Sequence, residues 1–74
     1  MEYYNVSMIV ENEFGIFKGK VNKLNYNGLQ HIKEISKQFY TGSFDLDCED
    51  GSYLVIPPEV VKRSILRIVY KKIE

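Results

Sequence analysis

Residues 43–56, Ser-Phe-Asp-Leu-Asp-Cys-Glu-Asp-Gly-Ser-Tyr-Leu-Val-Ile, constrain the fold more than any other stretch. Phe44, Leu46 and Cys48 alternate with Ser43, Asp45 and Asp47. A period of two marks a strand with one dry face and one wet face. Asp50-Gly51 supplies turn chemistry, and the β-prone run Tyr53-Leu54-Val55-Ile56 follows. Two registers are open. A two-residue loop pairs Leu46 with Val55 and leaves Leu54 and Ile56 on the face of Asp45 and Asp47. A three-residue loop, Glu49-Asp50-Gly51, pairs Cys48 with Ser52, Leu46 with Leu54 and Phe44 with Ile56. Because the buried face sets register, the second is expected, with Gly51 in the left-handed conformation such a loop needs.

Upstream, Tyr4, Val6, Met8 and Val10 alternate with Tyr3, Asn5, Ser7 and Ile9, which predicts a first strand over 3–10. The second set is only partly polar, so this strand is expected inside a sheet, with helix or partner on both sides. Glu11-Asn12-Glu13 reads as a turn. A second strand follows over 14–24, with Gly15 and Gly19 marking bulges or close approaches. Asn27 and Gln30 resemble a capping box. Leu29, Ile32, Ile35, Ser36 and Phe39 recur at helical spacing, predicting a helix over 28–39 that stops at Thr41-Gly42.

Pro57-Pro58 ends the hairpin. The tail reads either as one helical stripe (Val60, Val61, Ser64, Ile65, Ile68, Val69) or as a helical turn at 58–62 and a strand at 64–72. The β-prone run Ile65–Tyr70 favours the strand. The expectation is therefore one α+β domain over residues 1–74, an antiparallel sheet with a single helix packed on it in the order ββαβββ. The alternative order is ββαββα.

With 74 residues, 45% hydrophobic and 27% charged, the chain is globular but small. It buries only about 60–65% of its unfolded surface. Oligomerisation is an ordinary remedy, and a net charge of zero does not oppose it, so a homodimer is compatible with the composition. The absence of Ala and Trp and the wealth of Ile, Lys, Asn and Tyr point to an AT-rich gene, as in some bacteria and their phages or plasmids. One Cys excludes an internal disulfide and a multi-cysteine zinc site. Without a secretory leader or an apolar run of about 20 residues, the cytoplasm is the expected compartment and no membrane partner is expected.

Reactive groups are sparse. Asp45-x-Asp47-x-Glu49-Asp50-Gly51 resembles the start of a calcium loop, but its Gly is seventh and the twelfth position is Ile56 rather than Glu. His31 has no second ligand at metal spacing, and Cys48 lies on an apolar strand face where thiols are inert packing. No phosphate-cradling Gly-rich loop or nucleophile elbow occurs. No enzymatic activity, cofactor or metal is expected.

The charges are zoned, and tyrosines are numerous for so small a core. The leading expectation is a non-enzymatic protein-binding module, an inhibitor or regulator of a host protein of the kind phages and mobile elements encode. Its contact residues would be Asp45, Asp47, Glu49, Asp50 and Tyr53. The alternative is a small nucleic-acid-binding protein using Lys18, Lys20, Lys23, Arg63 and Arg67.

Overall fold

The computed structural model describes residues 2–74. Strands β1 (Tyr3–Asn12), β2 (Gly15–Lys18) and β3 (Asn22–Asn25) lead into helix α1 (Tyr26–Ser36) and a 3-10 turn, Phe39–Thr41. Strands β4 (Phe44–Asp47) and β5 (Tyr53–Ile56), the short helix α2 (Pro58–Val61) and strand β6 (Ile65–Lys72) complete the chain. The fold is α+β and follows ββαβββ once β2 and β3 are seen as one interrupted strand. The helical reading of the tail is overturned: Ile65–Lys72 pairs antiparallel with Glu11–Tyr4 along its whole length. Among the described residues no helix is long and apolar enough to cross a membrane.

β1 is the spine. One edge carries β6, and the other carries β2 and β3 in succession. Glu11 and Asn12 continue the strand rather than turning, and the reversal falls at Glu13-Phe14. There Gly15 takes φ +136°, a value open to glycine.

The break between β2 and β3 is a β-bulge. Ile9 faces Lys18 and Val6 faces Asn22, so Gly19, Lys20 and Val21 oppose only Ser7 and Met8. The extra residue changes the strand's phase. Phe17 and Leu24, separated by an odd number of positions, both reach the covered face, opposite Val10 and Tyr4. Gly19 also joins the second hairpin through a bridge to Cys48. The Lys20 amide donates to Asp47 O at 2.9 Å, and the Glu49 amide donates to Lys18 O at 2.9 Å. No Cβ fits at Gly19, because it would lie 2.8 Å from Leu46 Cδ1 and 2.9 Å from Met8 O.

The second hairpin has the register that burial of its apolar face requires: Phe44 opposite Ile56, Leu46 opposite Leu54, and the Cys48 amide donating to Ser52 O at 2.8 Å. Gly51 adopts φ +92°. Leu46, Cys48 and Ile56 are buried with Val10, Phe39 and Val61, and Met8, Phe17, Phe44, Leu54, Val60 and Leu66 pack around them. Ser64, buried at the approach to β6, knits the ends together. Its hydroxyl donates to Val60 O (2.7 Å) and accepts from Asn12 Nδ2 (3.2 Å), and its carbonyl accepts from Tyr40 Oη (2.9 Å).

α1 departs from its expected bounds at both ends. Its N-cap is Asn25, whose Oδ1 accepts from the Gly28 amide at 2.7 Å, and not Asn27. β3 runs straight into the helix, so Asn27 lies inside the first turn. The helix stops at Ser36, and Phe39 enters the core through the 3-10 turn, its ring 4.8 Å from that of Phe44. Leu29 is buried, but Ile35, expected on the packed stripe, is 51% exposed.

α1 covers one half of a single face of the sheet, and the second hairpin with α2 covers the other half. Among the described residues no element covers the opposite face, against the expectation that both faces of β1 are enclosed. The Cα atoms accordingly span only 15 Å in the thinnest direction.

Candidate interaction surface

Residues directly opposite across a ladder share a face. The odd-numbered residues of β1 therefore share the bare face with Ile16 and Lys18 of β2, Lys23 of β3, and Ile65, Arg67, Val69 and Lys71 of β6. Ile16 is 64% exposed, Ile65 57% and Val69 44%. β-branched side chains stand on this face because they suit a pleated surface. That accounts for their type and leaves their exposure without a counterpart in the fold.

The electrostatics of the face are one-sided. Lys18, Lys23, Arg67 and Lys71 are opposed there by one carboxylate, Glu11, whose Oε1 lies 3.0 Å from Arg67 Nη2. Lys23 Nζ sits 4.7 Å from the centroid of the Tyr3 ring. The result is a flat lattice of aliphatic groups and cations.

Three of the five cations singled out for nucleic acid, Lys18, Lys23 and Arg67, come together here. Lys20 and Arg63 do not. Lys20 lies in the bulge and lines a cleft of about 230 Å³ on the covered side, with Asp45 and Asp47 across from it. Arg63 follows α2 and pairs with Glu13, Nε to Oε1 2.7 Å. Lys71, Ile16, Ile65 and Val69 were not among the contact residues expected from the sequence. Their signal was the alternation Ile65, Arg67, Val69, Lys71, the complement of the Leu66, Ile68, Tyr70 face.

The acidic hairpin divides as well. Asp45 and Asp47 lie opposite Val55 and Tyr53 on its wet face. Tyr53 Oη donates to Asp45 Oδ2 at 2.7 Å, and that hydrogen bond foremost raises the phenol's pKa above its ordinary value. Asp50 is occupied by the loop: its Oδ1 accepts from the Ser52 hydroxyl (2.6 Å) and amide (2.9 Å), which hold its carboxyl below the ordinary range. Glu49 is exposed beside it. Asp45, Asp47 and Tyr53 thus form one small patch, and Glu49 and Asp50 belong to the loop tip.

Among the described residues no three His, Cys, Asp or Glu side chains converge as metal ligands would. Cys48 is buried with its Sγ 3.8 Å from Leu46 O, while His31 is exposed on α1. An open depression of about 530 Å³ between β2 and the hairpin tip presents Lys18, Glu49, Asp50 and Tyr53 to solvent. A smaller apolar groove, about 280 Å³, runs between Phe14, Val55, Pro57 and Val60. No protein-family model matches this sequence, and no curated protein and no solved structure matches it, so the functional reading rests on the geometry alone.

Proposed function

We propose that this chain is a protein-binding module that lays the bare face of its larger sheet on an acidic protein surface and so inhibits or regulates that partner, as small proteins of phages and mobile elements do. One observation carries the reading: exposed Ile16, Ile65 and Val69 stand among Lys18, Lys23, Arg67 and Lys71 on a face that no element covers among the described residues. Burying the aliphatic groups supplies affinity at roughly 25 cal/mol per Å² of apolar surface, before the costs of association. The cations select the partner and speed its approach.

A single-stranded nucleic acid would want several rings for its bases to stack on. The face offers one, Tyr3, with Lys23 already over it. An acidic protein surface answers both the aliphatic and the cationic groups.

The test is capture at physiological salt by the wild-type protein and by a Lys23→Glu, Arg67→Glu, Lys71→Glu variant, both confirmed folded by circular dichroism. A protein held by the wild type and lost, by about ten-fold or more, from the variant is the expected result; each close charge pair contributes on the order of a kcal/mol. Equal retention by the two proteins overturns the reading. So does retained material that nuclease releases.

A further inference from the structure

The bare face ends at a bare edge. β6 is eight residues long, has no proline, and keeps one register with β1 throughout, so no bulge twists it out of line. Its inner edge bonds to β1, and the alternation can be assigned. The Ile73 amide donates to Tyr3 O at 2.9 Å, which makes Tyr3 and Ile73 a hydrogen-bonded pair. In an antiparallel ladder such pairs recur at every second residue. Arg67, Val69 and Lys71 therefore direct their N–H and C=O groups to β1. Leu66, Ile68, Tyr70 and Lys72 direct theirs away from it, where among the described residues no strand pairs with them.

Such an edge is a template for another strand. The side chains flanking it say which kind. β6 carries Arg67, Lys71 and Lys72 and no acid. Pairing with β6 of a second copy would align the cations of both copies along one seam. Arg67 spends one donor on Glu11 and keeps others, and Lys71 has no ion-pair partner among the described residues. Val69 stands between them on the same face.

We infer that the partner supplies an extended segment that adds to the outer edge of β6, with acidic side chains facing Arg67 and Lys71 and an apolar one between them facing Val69. The pattern is acid-x-apolar-x-acid, the period of two that a strand imposes. The inference rests on the proposed binding function and specifies how the partner meets the sheet. Main-chain hydrogen bonds to the outward groups provide attachment, and the alternating side chains provide selection.

The probe is a blocked peptide, Thr-Glu-Thr-Val-Thr-Glu-Thr, added at millimolar concentration to the nitrogen-labelled full chain. Amide hydrogen exchange is followed by NMR. The amides of Leu66, Ile68, Tyr70 and Lys72 should slow by about ten-fold or more, while those of Arg67, Val69 and Lys71, already bonded to β1, change little. A peptide with Lys for Glu should lose the effect, as should one N-methylated at the amides that would face the edge. Peptide-induced shifts at Lys18, Lys23 and Val69 without protection of the four amides would overturn strand addition and leave the face itself as the binding surface. No change anywhere would also overturn strand addition, and the charge-reversed capture would still decide the broader reading. A doubled light-scattering mass with those amides protected before any peptide is added would assign the edge to a second copy instead.

Discussion

The Asn12 side-chain amide donates to the buried Ser64 hydroxyl across 3.2 Å, joining two residues 52 positions apart. The bond ties the end of β1 to the residue that launches β6, the strand paired along its flank. Removing the hydroxyl leaves a part-buried donor without its partner. Ser64→Ala should therefore cost about 1–2 kcal/mol. Asn12→Ala should cost less once Ser64→Ala is present than it does alone, and a double-mutant cycle by urea denaturation would reveal that coupling.

Gly19→Ala should destabilise by about 1–3 kcal/mol, the usual penalty for overpacking. One of the two obstacles to the new methyl is the Met8 carbonyl, which is backbone and cannot swing aside. Leu46→Ala is itself costly because Leu46 is a core residue, so the reading is a double-mutant cycle, in which the coupling between the two substitutions should be small. A coupling equal to the whole Gly19→Ala loss would show that Leu46 alone excludes a side chain there.

Leu29 is the one fully buried side chain of α1. Leu29→Ala should cost about 2–5 kcal/mol. A core of this size supplies on the order of 3–5 kcal/mol in all. The variant should be largely unfolded at room temperature by circular dichroism, whereas Ile35→Ala, on the exposed side of the same helix, should melt close to the wild type.

Tyr53 should titrate above the ordinary tyrosine value because its hydroxyl donates to the Asp45 carboxylate. The bond holds the neutral, protonated phenol in the folded state. Its stabilisation is complete below the unfolded value of about 10 and is lost as pH rises through the higher folded value. Tyrosinate absorbance should show a late-titrating component, assigned to Tyr53, that Asp45→Asn moves to lower pH. A curve unchanged by that substitution would contradict the assignment.

At the chain ends Glu2 Oε1 lies 2.8 Å from Lys72 Nζ, which lowers the pKa of the glutamate and raises that of the lysine. The contribution of Glu2 is present above the ordinary glutamate range and is lost as pH falls through its lowered folded value. Glu2→Gln should lower the protection of the Ile73 amide at neutral pH, measured against its intrinsic exchange rate, and remove the loss of that protection as Glu2 is titrated with acid.

Legibility in the sequence followed locality. The Phe44–Ile56 register was readable because only one loop length gathers Phe44, Leu46, Leu54 and Ile56 on one face. The final strand was favoured because Ile65, Ile68 and Val69 are β-branched and Tyr70 is aromatic, all β-prone types. The helix ends were not. Two asparagines compete for the cap, and the winner, Asn25, is decided by where β3 leaves its ladder with β1. Phe39 obeys the helical period yet enters the core from a 3-10 turn, because Phe44 and the hairpin draw it there. The glycine signal at Gly19 was visible, but the phase shift it permits depends on Leu46 and Met8, which are distant in sequence. The bare face was hidden for a related reason. Ile9 and Val69 look like core residues in the alphabet of the sequence, and only the placement of α1 and the hairpin shows which side of β1 they leave open.

The extra residue at Gly19–Val21 has a consequence for how relatives of this chain would diverge. Removing one residue from that segment would invert everything from Asn22 to Asn25, turning Leu24 outward and Lys23 inward, while Gly15–Lys18 stayed in place. Length should therefore be held more strictly at this irregular joint than in the smooth strands on either side, and within it the buried Gly19 should vary less than the exposed Lys20 and Val21.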